Sequence, residues 1–149
     1  MNLCVVLRIV SWNTHIFSFS FERNPWDKAV SYYYCSLYQR NADPDEFCIS
    51  DLIDAATNRL SNWDRYTNKK DEIIVDHVAN FENLEEELDE ICRRIGVSRT
   101  DMGPLQHAKT RYRKAKKSYQ ELLTEKQTKR IYQLCHKEIS HFGYTFVNF

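Results

Sequence analysis

A chain of 149 residues with 42% hydrophobic and 28% charged residues has the size and composition of one folded domain, which excludes a disordered segment. Its 21 Lys and Arg residues balance its 21 Asp and Glu residues, so no net field draws it toward nucleic acid or an anionic membrane. The apolar first ten residues are about half a membrane span and lack the features of a signal peptide. We therefore predict a soluble protein of undefined compartment.

The cysteines and histidines show no metal-ligand spacing. His136 and His141 are five residues apart, a separation that a helix does not place on one face. No cysteine belongs to a CxxC pair, which favours reduced thiols in the core. The sequence therefore predicts no metal site. The cysteines are Cys4, Cys35, Cys48, Cys92 and Cys135.

The first half of the chain predicts a strand followed by two helices. The first ten residues fit a buried strand or an irregular start. Phenylalanines alternate with serines over residues 17–21, which predicts a strand that ends near Glu22. Asn24 is a good N-cap and Pro25 suits the first helical position, so a helix is expected from Pro25 to about Gln39. Its predicted buried residues are Val30, Tyr33, Tyr34 and Leu37. A second amphipathic helix is expected after residues 43–46.

The second half predicts a strand, a helix, a long loop and a final helix. Residues 61–71 read as an ordered loop that holds Trp63 and Tyr66, and residues 73–78 form a β-rich run. Asn83 and Glu86 predict a capping box for a helix that Gly96 closes. The loop covers residues 97–117, and the last helix starts near Ser118 or Thr124 and stops at Gly143. This order indicates an α/β fold with too few strands for a complete doubly wound sheet.

The junction of the first predicted strand and helix is a candidate anion site. A helix start carries free N–H groups and a positive dipole end, and Arg23 adds a planar cationic fork beside them. Ser31 lies about 9 Å further along the helix axis, at 1.5 Å per residue. The structural alternative is that Arg23 pairs with Glu22, Asp27 or another acid, while Ser31 is a small packing residue.

The segment FERNPWDKAVSYYY, residues 21–34, closely resembles the 3′-phosphate-binding segment of the sulfotransferases. The matching positions are Arg23, Asn24, Pro25, Asp27, Lys28, Val30, Ser31 and Tyr32. Two later segments, residues 73–97 and 111–146, are similar to a strand, a helix start and the Phe-Gly-Tyr ending of the sulfotransferases that act on carbohydrates. The resemblance therefore extends over nearly the whole chain.

This resemblance implies a small parallel sheet flanked by helices, in an incomplete P-loop-like sulfotransferase fold that forms a single domain over residues 1–149. The implied donor is 3′-phosphoadenosine 5′-phosphosulfate, and the implied acceptor is a carbohydrate hydroxyl or amine. Arg23 and Ser31 would hold the 3′-phosphate of this donor. The basic segment 107–117 resembles the part of the family that closes over donor and acceptor, so Arg111 and Arg113 are further candidates for donor contacts, with a solvated loop as the alternative.

The chain departs from the family pattern before Arg23. The family has a phosphate loop with Lys, Gly and Ser or Thr that stabilises charge on the leaving phosphate, but the 22 residues before Arg23 contain neither Lys nor Gly. The general base that takes the acceptor proton also falls in this region, so the catalytic residues stay unknown. We expect an N-terminally truncated domain that an upstream fragment or a partner chain completes.

Two other hypotheses remain open at this point. The chain is alternatively an inactive relic or binding module that retains only the 3′-phosphate half-site. In the third hypothesis it is a helical interaction protein whose acidic helix over residues 83–95 is the contact face, which leaves the Arg23 junction unexplained. No nucleic-acid partner is expected from the balanced charge.

Overall fold

The computed structural model describes residues 7–10, 16–43, 48–55, 57–102 and 117–146. These residues belong to two compact units. Of these described residues, the helical unit comprises those within 24–61 and 117–146, and the sheet unit comprises those within 7–23 and 62–102. Each unit has its own cluster of buried apolar side chains.

The sheet unit contains three strands in the order β1-β2-β3. Their bounds are β1 Leu7–Val10, β2 Ile16–Glu22 and β3 His77–Asn80. β1 runs antiparallel to β2, whereas β2 and β3 are parallel, with Phe19 opposite His77 and Glu22 opposite Asn80. The predicted α/β class and the predicted strand that ends at Glu22 are confirmed, whereas the small parallel sheet is confirmed only for β2 and β3, because β1 pairs antiparallel to β2.

β3 begins four residues later than the β-rich run predicts. Ile73 forms only an isolated bridge with Thr67, and the side chain of Ile74 is 60% exposed. The register is set instead at Asp76, whose carboxylate accepts hydrogen bonds from the backbone N and the Oγ of Ser18 on β2. Pairing with β2 thus overrides the strand propensity of Ile73 and Ile74.

Two helices complete the sheet unit, together with short 3₁₀ turns at Phe81–Asn83 and Arg99–Met102. They are α4 Trp63–Tyr66 and α5 Leu84–Ile95. α5 ends as predicted at Gly96, which has a φ of 73° and a backbone N–H bonded to the carbonyl of Cys92. The predicted capping box at Asn83 is wrong, because the 3₁₀ turn leads into the helix and the Asn83 side chain makes no capping hydrogen bond.

The apolar core of the sheet unit lies between β2, β3 and α5. Phe19 and Ala79 contribute from the strands, and Ile91 and Ile95 contribute from α5. The apolar side chains along one side of α5 therefore pack against the alternating phenylalanines of β2 on one face of the sheet.

The helical unit is built from six helices within the described ranges. Their bounds are α1 Pro25–Arg40, α2 Ile49–Ala55, α3 Thr57–Leu60, α6 Tyr119–Leu122, α7 Glu125–Leu134 and α8 His136–Phe142. The predicted extent of α1 is confirmed within one residue. Its buried face includes Val30 and Leu37 as expected, but the prediction for Tyr33 and Tyr34 is wrong: they are only half-buried, whereas Trp26 and Ala29 belong to the core.

The single helix expected near the end of the chain is divided into three. Ser118 and Thr124 each form a capping box, so both predicted starts are used. Leu123 between them is extended and separates α6 from α7. α8 then ends at Gly143, whose φ of 68° is readily adopted by glycine.

Three cysteines are confirmed as buried free thiols, whereas Cys48 is exposed. Cys48 lies just before α2, where hydrogen bonding to the backbone of Ser50 lowers the pKa of its thiol. Cys4 lies outside the described residues. No helix in the ranges that the structure describes is long and apolar enough to cross a membrane.

Candidate functional site

A buried carboxylate lies at the carboxyl end of β2. The side chain of Glu22 is 0% exposed, and its Oε2 accepts a hydrogen bond of 3.1 Å from the hydroxyl of Tyr66. Asn62 Nδ2 donates to both carboxylate oxygens at 3.4 and 3.3 Å, and the backbone N of Arg23 donates to Oε1 at 3.1 Å. Because an ionisable group is costly to bury without partners, these donors are what the buried position requires.

The alternation along β2 explains why a carboxylate occupies this position. Phe19 points to the apolar core with α5, whereas Ser20 and Glu22 lie on the opposite face, and all three are buried. Asn62 directly precedes α4 and Tyr66 is its last residue, and both provide polar groups that contact Glu22 on that face. Both faces of β2 are therefore covered at its carboxyl end.

The position of Arg23 follows from the parallel register of β2 and β3. Glu22 and Asn80 are opposite each other, so the residues that follow them, Arg23 and Phe81, emerge at the same edge of the sheet. The Cζ atom of Arg23 lies 4.6 Å from the centroid of the Phe81 ring, within the range of a cation–π interaction. Ligands of α/β proteins commonly bind at the carboxyl ends of parallel strands, where Arg23 is found.

A second polar pair connects β3 to α5. His77 Nε2 lies 2.6 Å from Glu87 Oε2, and the backbone N of Asn80 donates to Glu87 Oε1 at 2.9 Å. Both side chains are mostly buried, at 19% and 15% exposure. Glu87 therefore joins the first turn of α5 to both ends of β3.

The start of α1, in the helical unit, does not offer the free amides that the sequence suggests. Asn24 Oδ1 accepts from the backbone N of Trp26 at 3.1 Å and of Asp27 at 3.4 Å. The backbone N of Lys28 donates to the Asn24 carbonyl at 2.9 Å, and Pro25 has no N–H. The expectation of free first-turn donors is thus wrong, because the N-cap uses them. Side chains must supply the hydrogen bonds for any anion held here.

The four predicted donor-binding residues fall in different parts of the chain. Arg23 is half-buried at the end of β2 in the sheet unit, and Ser31 is half-buried on the second turn of α1 in the helical unit. Arg111 and Arg113 lie outside the described residues. Within the described ranges, no group of three or more His, Cys, Asp or Glu side chains is arranged to hold a metal ion.

Trp63 and Tyr66, which the sequence places in an ordered loop, lie in α4 and are packing residues. Trp63 is 6% exposed and Tyr66 is 0% exposed, and their ring centroids are 5.7 Å apart. Sequence reasoning missed the roles of Glu22 and Phe81. A charged residue at the end of an otherwise apolar strand was the available signal for Glu22, whereas the Phe81 contact depends on the register of two distant strands.

The acidic surface of α5 is largely compensated by arginines. Glu90 accepts hydrogen bonds of 2.7 and 2.6 Å from the Nε atoms of Arg93 and Arg94. Arg99 lies 2.8 Å from Glu85 and 3.4 Å from Asp89. This internal pairing reduces the negative charge that the interaction-protein hypothesis assigns to the helix.

The described residues define an α/β protein with a small sheet and an arginine at the carboxyl end of its central strand. An uncharacterized protein from Archaeoglobus fulgidus is 39% identical over 82 residues, which cover 53% of this chain and 67% of the archaeal protein. The chain belongs to the same family as that protein. No family profile and no solved structure matches the chain.

Replacing Tyr66 with phenylalanine tests the Glu22 cluster. Tyr66→Phe removes a hydrogen bond to a buried carboxylate, and we expect the free energy of unfolding to fall by about 1.5–3 kcal/mol in urea denaturation. Tyr132→Phe removes the same hydroxyl from a side chain that is 50% exposed and is the matched control. Equal effects of the two substitutions would contradict the proposed contribution of the Glu22 hydrogen bond.

A titration of Glu90 tests the charge compensation on α5. Hydrogen bonds from Arg93 and Arg94 lower the pKa of Glu90 from 4.5 to about 2. Its contribution to stability is therefore complete above about pH 4.5 and lost as the pH falls toward 2. Carboxyl NMR should show this low midpoint, and the double variant Arg93→Gln, Arg94→Gln should raise it toward 4.5. A midpoint that does not change in the double variant would show that the arginines are not the cause.

Proposed function

We propose that this chain is a sulfotransferase-like domain that binds 3′-phosphoadenosine 5′-phosphosulfate through the 3′-phosphate, for transfer of the sulfonyl group to a carbohydrate hydroxyl or amine. The observation that carries the proposal is the position of Arg23. Arg23 directly follows the central strand. Its backbone N–H donates to Glu22, and its guanidinium lies over the ring of Phe81. A fixed guanidinium presents paired N–H donors that match the oxygens of a phosphate.

The capped start of α1 supports a side-chain mode of phosphate binding. Asn24 satisfies the first-turn amides, so an anion at this helix start would draw its direct hydrogen bonds from side chains, and the resemblance proposes Ser31 as one of them. The dipole of a helix of 16 residues still favours negative charge near its start. Arg23 and Ser31 belong to different units, and we therefore test each by its own substitution. Arg111 and Arg113 are proposed as further donor contacts on the resemblance alone.

The P-loop-like part of the fold is likewise a proposal. The residues before Arg23 contain neither Lys nor Gly, so the loop for the 5′-phosphosulfate is expected from another segment or a partner chain. The chain is thus proposed to contribute donor binding, and the complete assembly is proposed to carry out sulfonyl transfer. The second candidate, a binding module without catalysis, is favoured by the same absence of Lys and Gly from residues 1–22.

Calorimetric titration with two nucleotides tests donor binding. The probe is 3′-phosphoadenosine 5′-phosphate, and the matched ligand is adenosine 5′-monophosphate, which lacks the 3′-phosphate. We expect the first to bind more tightly to the parent chain. Arg23→Ala should lower the affinity for 3′-phosphoadenosine 5′-phosphate by about tenfold or more. A charge-assisted hydrogen bond contributes about 1.5–3 kcal/mol, and a tenfold change in affinity is about 1.4 kcal/mol. Ser31→Ala should weaken it less, because a neutral hydroxyl forms a weaker hydrogen bond.

Controls separate phosphate recognition from general loss of charge. Lys129→Ala removes an exposed cation that pairs with Glu125, and we expect it to leave both affinities unchanged. Binding of adenosine 5′-monophosphate should be nearly insensitive to Arg23→Ala. Equal affinity of the parent chain for the two nucleotides would overturn the 3′-phosphate site. Transfer of labelled sulfonyl to sugars by this chain alone would overturn the need for a second segment.

A further inference from the structure

We propose that Phe81 is a positioning residue that orients the guanidinium of Arg23 for the 3′-phosphate. This inference rests on the proposed function, because it assigns a role to the surroundings of the same arginine. The contact itself is observed within the sheet unit, where Arg23 Cζ lies 4.6 Å from the Phe81 ring centroid. Phe81 is not among the residues that the sequence identifies as candidates for donor binding.

The parallel pairing of β2 and β3 creates the contact. Glu22 and Asn80 are the last residues of their strands and are opposite each other. The next residue of each chain segment is therefore carried to the same edge, which brings Arg23 beside Phe81. Residues 23 and 81 are separated by 58 positions in sequence, so this juxtaposition depends on the sheet and on no local motif.

The aromatic partner is itself held in place. Phe81 begins the 3₁₀ turn Phe81–Asn83 between β3 and α5. The preceding residue, Asn80, donates its backbone N–H to Glu87, whose other carboxylate oxygen lies 2.6 Å from His77. The backbone next to Phe81 is therefore held in place by a hydrogen bond between β3 and α5. Arg23 is correspondingly held at its backbone by the bond from its N–H to Glu22.

This arrangement suits recognition of a phosphate. A ring interacts with the face of a guanidinium, whereas the N–H donors project from the edge of the guanidinium plane. The contact with Phe81 therefore restricts the Arg23 side chain and does not itself use the N–H donors of the guanidinium. Since less rotational freedom is lost on binding, a prepositioned arginine binds more tightly than a mobile one. Phe81 would strengthen the 3′-phosphate contact without touching the nucleotide.

The test combines a structural measurement with the two nucleotides used above. NMR of the parent chain should show the side-chain protons of Arg23 displaced by the ring current of Phe81, and Phe81→Leu should remove this displacement. Phe81→Leu should also lower the affinity for 3′-phosphoadenosine 5′-phosphate by about threefold to tenfold, in keeping with the modest strength of a cation–π contact. Affinity for adenosine 5′-monophosphate should not change. Phe81→Tyr keeps an aromatic face and should restore both the ring-current shift and the affinity.

The matched control is Phe17→Leu, which removes another partly buried ring of the sheet unit that packs against Phe19. It should alter neither the Arg23 shifts nor the ratio of the two affinities. If the parent chain discriminates the nucleotides but Phe81→Leu preserves that discrimination, the positioning role is overturned and the proposed function stands. If the parent chain does not discriminate them, the proposed function fails and the role of Phe81 fails with it. An Arg23 spectrum unchanged by Phe81→Leu would overturn the stacking itself.

Discussion

The buried carboxylate of Glu22 is the constraint on which the sheet unit depends. A fully buried ionisable side chain requires hydrogen-bond partners, and in this unit they come from Asn62, Tyr66 and the backbone of Arg23. These contacts attach the segment around α4 to the end of β2. They also fix the backbone of Arg23, the residue that we propose to bind the donor.

The parallel register of β2 and β3 extends this constraint to the neighbouring side chains. It places Phe81 beside Arg23, and Glu87 holds the turn in which Phe81 lies. The fixed guanidinium at a strand end favours an anion-binding role over a helical interaction surface. The acidic helix that would form such a surface pairs much of its charge with Arg93, Arg94 and Arg99.

Local sequence signals predicted local structure well. The capping residues Asn24, Ser118 and Thr124 mark helix starts, and Gly96 and Gly143 mark helix ends. Each of these signals acts over a few residues, so neighbouring sequence contains the information that is needed.

Features that depend on pairing between distant segments were predicted poorly. β3 begins later than the sequence predicts because its register is set by Ser18 and Asp76, which are 58 residues apart. The partners of Glu22 lie 40 and 44 residues further along the chain, and the Phe81 contact follows from the register of β2 and β3. For the candidate site, the sequence proposed Arg23 and Ser31 and offered Glu22 as a partner of Arg23, but it did not indicate the contact with Phe81.

The central claim is that the guanidinium of Arg23 binds the 3′-phosphate of the donor. The most direct measurement is a crystal structure of this chain with 3′-phosphoadenosine 5′-phosphate. We predict that the Arg23 guanidinium donates hydrogen bonds to the 3′-phosphate while it remains stacked on Phe81. A nucleotide bound elsewhere, or with its 3′-phosphate away from Arg23, would contradict the account.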